Sequence, residues 1–126
     1  MKLDAIGIVV TDMGRALEFY GLLGVAVPEL DPEEDHLEAT LPSGLRIMFD
    51  HIDLVKQINP SYIDPTGHRM GLAFLCDSPA EVDAAFQKVK EAGFEGKSEP
   101  WDAFWGQRYA QVVDPDGNVV DLFAPL

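Results

Sequence analysis

Few side chains in this chain have the type and spacing that catalysis or metal binding requires. No two of the histidines, His36, His51 and His68, have the i, i+4 helix spacing or the i, i+2 strand spacing of a local metal motif. Cys76 is the single cysteine, and its apolar surroundings predict a buried thiol rather than a nucleophile. Asp121 could act as a base if it were buried, but no second catalytic group accompanies it. Because nucleophile elbows, phosphate loops and dinucleotide fingerprints are also absent, we predict no catalytic residue.

The charge of the chain favours a small-molecule partner over nucleic acid. Nine lysines and arginines oppose 22 acidic residues, which gives a formal net charge of −13. Nucleic acid binding needs basic patches. The acidity either serves solubility, which we favour, or attracts cationic small molecules. No apolar run approaches the ~20 residues of a membrane span, and the first residues do not resemble a signal peptide. We expect a cytoplasmic protein that binds neither nucleic acid nor membrane.

The hairpin that carries Asp121 has a fainter copy upstream. Residues 109–122 alternate apolar and polar positions on both sides of Asp114-Pro115-Asp116-Gly117-Asn118, which predicts a β-hairpin. Residues 38–49 repeat this pattern around a Pro-Ser-Gly turn. Aligning the two turns pairs Met48 with Asp121, so the chain contains an internal repeat.

In the first copy, a strand and a helix precede the hairpin. Residues 3–10 are apolar and β-branched, which predicts a strand buried on both faces. Thr11 or Asp12 can cap a helix that ends at Gly24, and residues 25–30 can form a short strand before the hairpin.

The second copy follows the same order. We predict a strand over 69–76, and a helix that starts at the capping box Ser78-Pro79-Ala80-Glu81 and ends at Gly93. Residues 94–100 form a weak strand before the hairpin. Compared with the first copy, the second has an insertion of four residues, located around 101–106.

Each copy is too small to fold alone, so the two must pack together. The predicted fold class is α+β, with two tandem βαβββ modules that form a curved mixed sheet with the helices outside and a concave trough on the remaining faces. Module 1 covers about residues 1–52 and module 2 about 69–126 of this single domain. Residues 53–68, which contain Asn-Pro and Asp-Pro-Thr-Gly, are a predicted linker or flap.

Four motifs resemble those of the glyoxalase, bleomycin-resistance protein and extradiol dioxygenase superfamily, also called vicinal oxygen chelate. They are Val9-Val10-Thr11-Asp12, Phe19-Tyr20-Gly21-Leu22-Leu23-Gly24, Trp105-Gly106-Gln107-Arg108, and Asp114-Pro115-Asp116-Gly117-Asn118 before the last strand. The resemblance covers essentially the whole chain. It implies paired βαβββ modules, a homodimer, and a small molecule held in each trough.

The resemblance also implies where a metal would bind. The metal enzymes of this superfamily carry one ligand on the first and last strand of each module, and these positions here are Ala5, Met48, Gly71 and Asp121. Only Asp121 offers an oxygen, while divalent metals need several carboxylates or imidazoles. We therefore disfavour a metal and expect no cofactor, although a register shift of one to three residues would bring His51 or His68 to the site.

Alternation along the strands predicts which side chains face the trough. An apolar wall with a few polar groups is typical of small-molecule sites, and each aromatic face attracts a cationic ligand by about 0.5 to 2 kcal/mol. Alternatively, the aromatic residues fill the trough or bury a dimer interface. The predicted ligand-binding residues are His36, Glu38, Arg46, Met48, Trp101, Phe104, Trp105, Gln107, Tyr109 and Asp121.

Three hypotheses about function follow. We favour a metal-independent binding protein of the bleomycin-resistance type that sequesters a cationic or aromatic drug-like compound without turnover. The alternative is a metal-dependent lyase or dioxygenase with displaced ligands. A third possibility is a degenerate relative that has kept only its role in pairing.

Overall fold

The computed structural model describes all 126 residues. The chain divides into two compact units, Met1–Pro65 and Thr66–Leu126, here called unit 1 and unit 2. Each unit contains its own β-sheet and at least one helix, so the predicted α+β class is confirmed. None of the three helices has the length and apolar content that crossing a bilayer requires.

The elements of unit 1 are β1 (Ala5–Val10), α1 (Met13–Leu22), β2 (His36–Thr40), β3 (Arg46–His51) and α2 (Ile52–Ile58). The strands form a sheet in the order β1-β3-β2, with β1 parallel and β2 antiparallel to the central strand β3. Helix α1 begins where the Asp12 side chain accepts a hydrogen bond from the Arg15 N–H, 3.1 Å away. It ends before Gly24, whose φ of 88° suits a residue without Cβ.

The strand predicted over residues 25–30 does not form, so this prediction was wrong. Pro28 lacks the N–H that a strand ladder needs. The segment instead runs beside two α1 glycines. A Cβ on Gly21 would lie 3.4 Å from Val27, and one on Gly14 would lie 3.3 Å from Leu30. Unit 1 therefore has three strands rather than four.

The predicted linker or flap over residues 53–68 begins as a helix. His51 caps α2, since its Nδ1 accepts a hydrogen bond of 3.1 Å from the Asp53 N–H. The helix ends at Ile58, directly before Asn59-Pro60. The residue that precedes a proline, here Asn59, rarely adopts the helical backbone conformation. Residues 59–71 contain no helix or strand.

The elements of unit 2 are β4 (Leu72–Leu75), α3 (Pro79–Glu91), β5 (Glu95–Ala103), β6 (Gln107–Val113) and β7 (Val119–Pro125). The strands form a sheet in the order β4-β7-β6-β5, and helix α3 packs on β5, β6 and β7. The residues of the predicted capping box cap this helix. Ser78 Oγ accepts from the Glu81 N–H at 3.2 Å, and the Glu81 carboxylate accepts from the Asp77 N–H.

The two hairpin turns share the same hydrogen bonds, as the repeat predicts. In unit 1 the Leu41 N–H donates to the Leu45 carbonyl at 2.8 Å, and the Gly44 N–H donates to the Leu41 carbonyl, also at 2.8 Å. In unit 2 the equivalent bonds run from Asp114 to Asn118 at 2.8 Å and from Gly117 to Asp114 at 3.1 Å. The glycine φ angles, 90° and 89°, also agree. The internal repeat is therefore a structural repeat.

Candidate functional site

In each unit one face of the sheet is buried and the opposite face carries the predicted binding residues. The buried face of unit 1 includes Ile47 and Phe49, and that of unit 2 includes Leu122, all at most 3% exposed. Strand alternation and the pairing register place the predicted binding residues of β2, β3, β6 and β7 on the opposite, partly exposed faces. We call these the open faces.

The open face of unit 1 carries a line of alternating charges, the charge ladder, formed by Asp50, His36, Glu38, Arg46 and Asp4. His36 Nδ1 lies 2.5 Å from Asp50 Oδ1, and His36 Nε2 lies 3.1 Å from Glu38 Oε2. Arg46 donates to Glu38 at 2.7 Å and to Asp4 at 2.8 Å. The ladder joins β2, β3 and the segment before β1 through side chains.

His36 is positioned as an imidazolium. Both of its ring nitrogens face carboxylate oxygens, and both can donate only when the ring is protonated. The hydrogen bond to Asp50, followed by that to Glu38, raises the pKa of His36 above its usual value. Reciprocally, the hydrogen bond from His36 lowers the pKa of Glu38. The predicted binding residues His36, Glu38 and Arg46 therefore already have one another as partners.

The open face of unit 2 carries a cluster of four aromatic rings, Trp105 and three neighbours, here called the aromatic corner. Ring centroids lie 5.5 Å from Trp105 for Trp101, 4.9 Å for Phe104 and 5.2 Å for Tyr109, with interplanar angles of 76° to 88°. Trp101 pairs with Tyr109 across β5 and β6, and the turn between the strands supplies the other two rings. The turn closes through the Gly106 N–H, which donates to the Ala103 carbonyl at 3.0 Å.

The polar groups of the aromatic corner are bonded to one another. The Nε1–H of Trp105 donates to Gln107 at 2.8 Å. Gln111 Nε2 donates to Asp121 Oδ1 at 2.9 Å and to the Tyr109 hydroxyl at 3.1 Å. The Gln111 amide therefore links the Tyr109 ring to the acid.

Asp121 has no cationic partner in unit 2. Its carboxylate is half-buried and accepts from the neutral amide of Gln111, and no Lys, Arg or His of unit 2 lies within ion-pair distance of it. Burial, followed by the effect of this carboxylate, raises the pKa of Tyr109 to about 12. The phenol therefore stays neutral at physiological pH, and no group of unit 2 forms an ion pair with Asp121.

A sequence model of the Glyoxalase/Bleomycin resistance protein/Dioxygenase superfamily matches residues 2–122. The chain belongs to this superfamily. Its members among solved structures share the fold at low sequence identity. No curated protein is similar enough in sequence to count as a relative.

Three solved structures illustrate the similarity. A glyoxalase/bleomycin resistance protein/dioxygenase family enzyme from Burkholderia phytofirmans PsJN has a TM-score of 0.84 at 19% identity, with 100% of both chains covered. A glyoxalase-related enzyme from Fulvimarina pelagi has a TM-score of 0.83 at 18% identity, covering 98% of this chain and 87% of the other. A glyoxalase/bleomycin resistance protein/dioxygenase from Nocardioides has a TM-score of 0.75 at 24% identity, covering 100% and 84%.

The positions at which superfamily enzymes carry metal ligands do not fit a metal here. Met48 lies beside Gly7 and Asp121 beside Ala73, and each neighbour comes two residues after the position expected on the first strand, Ala5 or Gly71. Neither neighbour has a donor atom. No group of three or more His, Cys, Asp or Glu side chains is arranged to hold a metal ion. The donor set at Asp121 is thus one carboxylate, too few for a divalent metal.

The other candidate groups have ordinary structural roles. His51 caps α2, and His68 is exposed before β4. Cys76 is buried, as predicted, and burial raises the pKa of its thiol, which disfavours the reactive thiolate.

The ten predicted binding residues fall into two groups in different units. Four lie on the open face of unit 1, and six lie at or beside the aromatic corner of unit 2. Gln111 is not among the ten predicted binding residues, although it lies directly opposite Asp121 on the neighbouring strand. Asp4 was not predicted either, because its contact with Arg46 depends on the parallel pairing of β1 and β3.

Proposed function

We propose that this protein binds a small cationic or aromatic compound at the aromatic corner, without a metal and without turnover. The observation that carries this proposal is the Asp121 carboxylate, which has no ion-pair partner in unit 2 and is linked through Gln111 to Tyr109, one of four clustered aromatic rings. A half-buried charge without a counter-ion costs free energy, and a bound cation would offset that cost.

The exposure of the rings supports the same proposal. Trp101 is 40% exposed, Trp105 47% and Phe104 91%, and all three belong to one cluster. Contiguous exposed apolar surface marks ligand or protein interaction sites. A planar compound could stack on these rings, and a positive charge would gain about 0.5–2 kcal/mol for each ring face that it meets.

The proposed function does not involve a metal because three of the four superfamily positions, Ala5, Met48 and Gly71, carry no imidazole or carboxylate. The strand neighbours Gly7 and Ala73 do not supply one either. A lyase or dioxygenase of this superfamily would need several such ligands at that place. The chain instead uses Asp121 as a fixed negative charge, held by Gln111.

Tryptophan fluorescence tests the proposal directly, because both tryptophans of the chain lie in the aromatic corner. We expect saturable changes with planar and cationic aromatic compounds at micromolar to millimolar concentration. Trp105→Ala should weaken binding about tenfold, as loss of a central aromatic contact does. Met70→Ala, which removes an apolar side chain that is 80% exposed outside the corner, is the matched control and should bind normally. A broad panel that leaves the fluorescence unchanged would overturn the proposal.

Metal analysis tests the alternative. We expect protein purified without chelator to contain less than about a tenth of an equivalent of any transition metal, given usual site affinities. A stoichiometric metal that also raises the melting temperature would instead support a metal-dependent lyase or dioxygenase with displaced ligands.

Three further features belong to this proposal. We propose that the protein is a cytoplasmic homodimer, and that sequestering a drug-like compound confers resistance to it. Light scattering tests the dimer, and growth of cells that express the protein, compared with cells that express Trp105→Ala, tests the resistance. Unchanged growth across a drug panel would separate compound binding from a resistance role.

A further inference from the structure

We propose that the aromatic corner selects organic cations that carry a permanent charge and no N–H group, such as quaternary ammonium ions and N-alkylated heteroaromatic cations. These would bind in preference to protonated amines and neutral aromatics. This inference rests on the proposed function and specifies the ligand class of the same site.

The hydrogen-bonding state of the corner supports this selectivity. The Trp105 N–H is held by Gln107, and the Gln111 amide donates to both the Tyr109 hydroxyl and the Asp121 carboxylate. Asp121 therefore already has a neutral donor, while its charge has no ion-pair partner in unit 2. What remains for a ligand is a negative potential and a set of ring faces, which are the two features that bind a quaternary cation.

A protonated amine is a poorer match to these features. Its charge is compact and strongly hydrated, and its N–H groups need acceptors once water is removed. The best acceptor, Asp121, would have to exchange the Gln111 hydrogen bond for the new one, which reduces the gain. A cation without N–H groups gains the attraction to Asp121 and the rings without breaking that bond.

Tyr109 is the side chain that links the two features. Its ring centroid lies 5.2 Å from that of Trp105, and its hydroxyl accepts from Gln111, which also donates to Asp121. A cation placed over the Tyr109 ring would therefore be linked to the carboxylate through Gln111 without contacting it directly. Asp121 acts here as a through-space counter-ion.

The test uses two pairs of probes that each change one property. Quinoline and N-methylquinolinium share a ring system and differ in charge at neutral pH, whereas benzylammonium and benzyltrimethylammonium share a charge and differ in N–H groups. Binding is followed through the two indole N–H signals in nitrogen-proton NMR spectra, which report only on the corner. We expect about tenfold preference for N-methylquinolinium over quinoline, and about threefold or greater preference for benzyltrimethylammonium over benzylammonium.

Asp121→Asn removes the charge but keeps an oxygen acceptor for Gln111. It should reduce the affinity for N-methylquinolinium about tenfold and leave that for quinoline unchanged. Asp102→Asn is the matched control, because it removes the same charge from the same sheet at a site bonded to Arg108, 3.1 Å away. This variant should retain the full preference for the cation.

The outcomes separate this inference from the proposed function. If quinoline binds as well as N-methylquinolinium, or if benzylammonium binds as well as its quaternary analogue, the selectivity is refuted while binding at the corner stands. If Asp102→Asn lowers cation affinity as much as Asp121→Asn, the general acidity of the protein is the cause and the role of Asp121 is refuted. If none of the four probes shifts the indole signals, both proposals fail.

Discussion

Gly96 lies where β5 passes helix α3, and a methyl group there has no room. A Cβ built on Gly96 would lie 2.6 Å from Phe86 Cζ and 2.8 Å from Phe86 Cε2. Carbon atoms in contact prefer about 3.5–4.0 Å, so the Phe86 ring or the strand must move by about 1 Å. Phe86 is only 5% exposed, which leaves little space for that movement. We expect Gly96→Ala to lower the free energy of unfolding by about 2 kcal/mol, within the range for overpacked cores.

Thermal and urea denaturation measure this effect. A loss of about 2 kcal/mol should lower the melting temperature by about 8 °C for a chain of this size. Gly71→Ala is the matched control, because nothing lies within 4 Å of a Cβ at Gly71 and its φ is not in the left-handed region. This control should be neutral or stabilising by up to about 1 kcal/mol, since alanine restricts the unfolded chain.

The double variant decides whether Phe86 causes the loss. Phe86→Leu shortens the side chain, so adding Gly96→Ala to it should cost at least about 1 kcal/mol less than adding it to the wild type. Equal stability of the Gly96→Ala and Gly71→Ala proteins would refute the packing of Phe86 against β5. Additivity of the two substitutions would place the cause elsewhere.

Three titration predictions and one labelling prediction follow from the polar groups. Because His36 has a raised pKa in the folded protein, its stabilisation should be complete below its usual pKa of 6.5 and be lost as pH rises through the folded pKa. The pH dependence of urea unfolding should show this slope, and His36→Gln should remove it. Because the pKa of Glu38 is lowered, its contribution should be present above 4.5 and be lost as pH falls through the folded pKa, which acid titration of Glu38→Gln would test. Tyr109 should ionise at about pH 12, so the ultraviolet phenolate titrations of the wild type and Tyr109→Phe should differ only there. Cys76 should react slowly with a thiol reagent until urea unfolds the protein, since burial raises its pKa, and rapid labelling of the native protein would contradict this.

Much of the fold follows from local sequence signals. The Asp114 to Asn118 turn combines a proline with a glycine at positive φ, and the same arrangement at Gly44 revealed the repeat. Capping residues located the helix starts, at Asp12 and at Ser78. Each of these signals acts within a few residues, so each can be recognised without tertiary contacts.

The errors arose where a distant contact decides the structure. Residues 25–30 have strand-like composition, but they lie along α1 because Gly14 and Gly21 leave room there. Helix α2 is short, and its cap is His51, which is not among the residues that usually signal a helix start. Neither feature has a periodic pattern that a single sequence would reveal.

The binding site could be predicted only in part for a similar reason. Alternation placed Tyr109, Gln111 and Asp121 on one face, and the structure has this arrangement. The absence of an ion-pair partner for Asp121 within unit 2 depends on strand register and helix packing, which decide where the lysines and arginines of that unit lie. Local sequence signals therefore do not predict the charge pairing of the site.

The repeat explains why the two open faces differ in what they can bind. A shift of 73 residues superposes the hairpin registers, so that His36 corresponds to Tyr109 and Glu38 to Gln111. In unit 1 these positions are ionic, and His36 and Arg46 provide cationic partners for the nearby carboxylates. In unit 2 the same backbone positions carry neutral side chains.

This difference leaves Asp121 without an ion-pair partner in unit 2. The four inserted residues in the second copy then add Phe104 and Trp105, which extend the cluster that contains Tyr109. A cation that binds in unit 1 would compete with His36 and Arg46 for their carboxylates, whereas one that binds in unit 2 has no such competitor. Because the two hairpins share one backbone pattern, the preference for a cation at the corner comes from this pairing of side chains rather than from the fold.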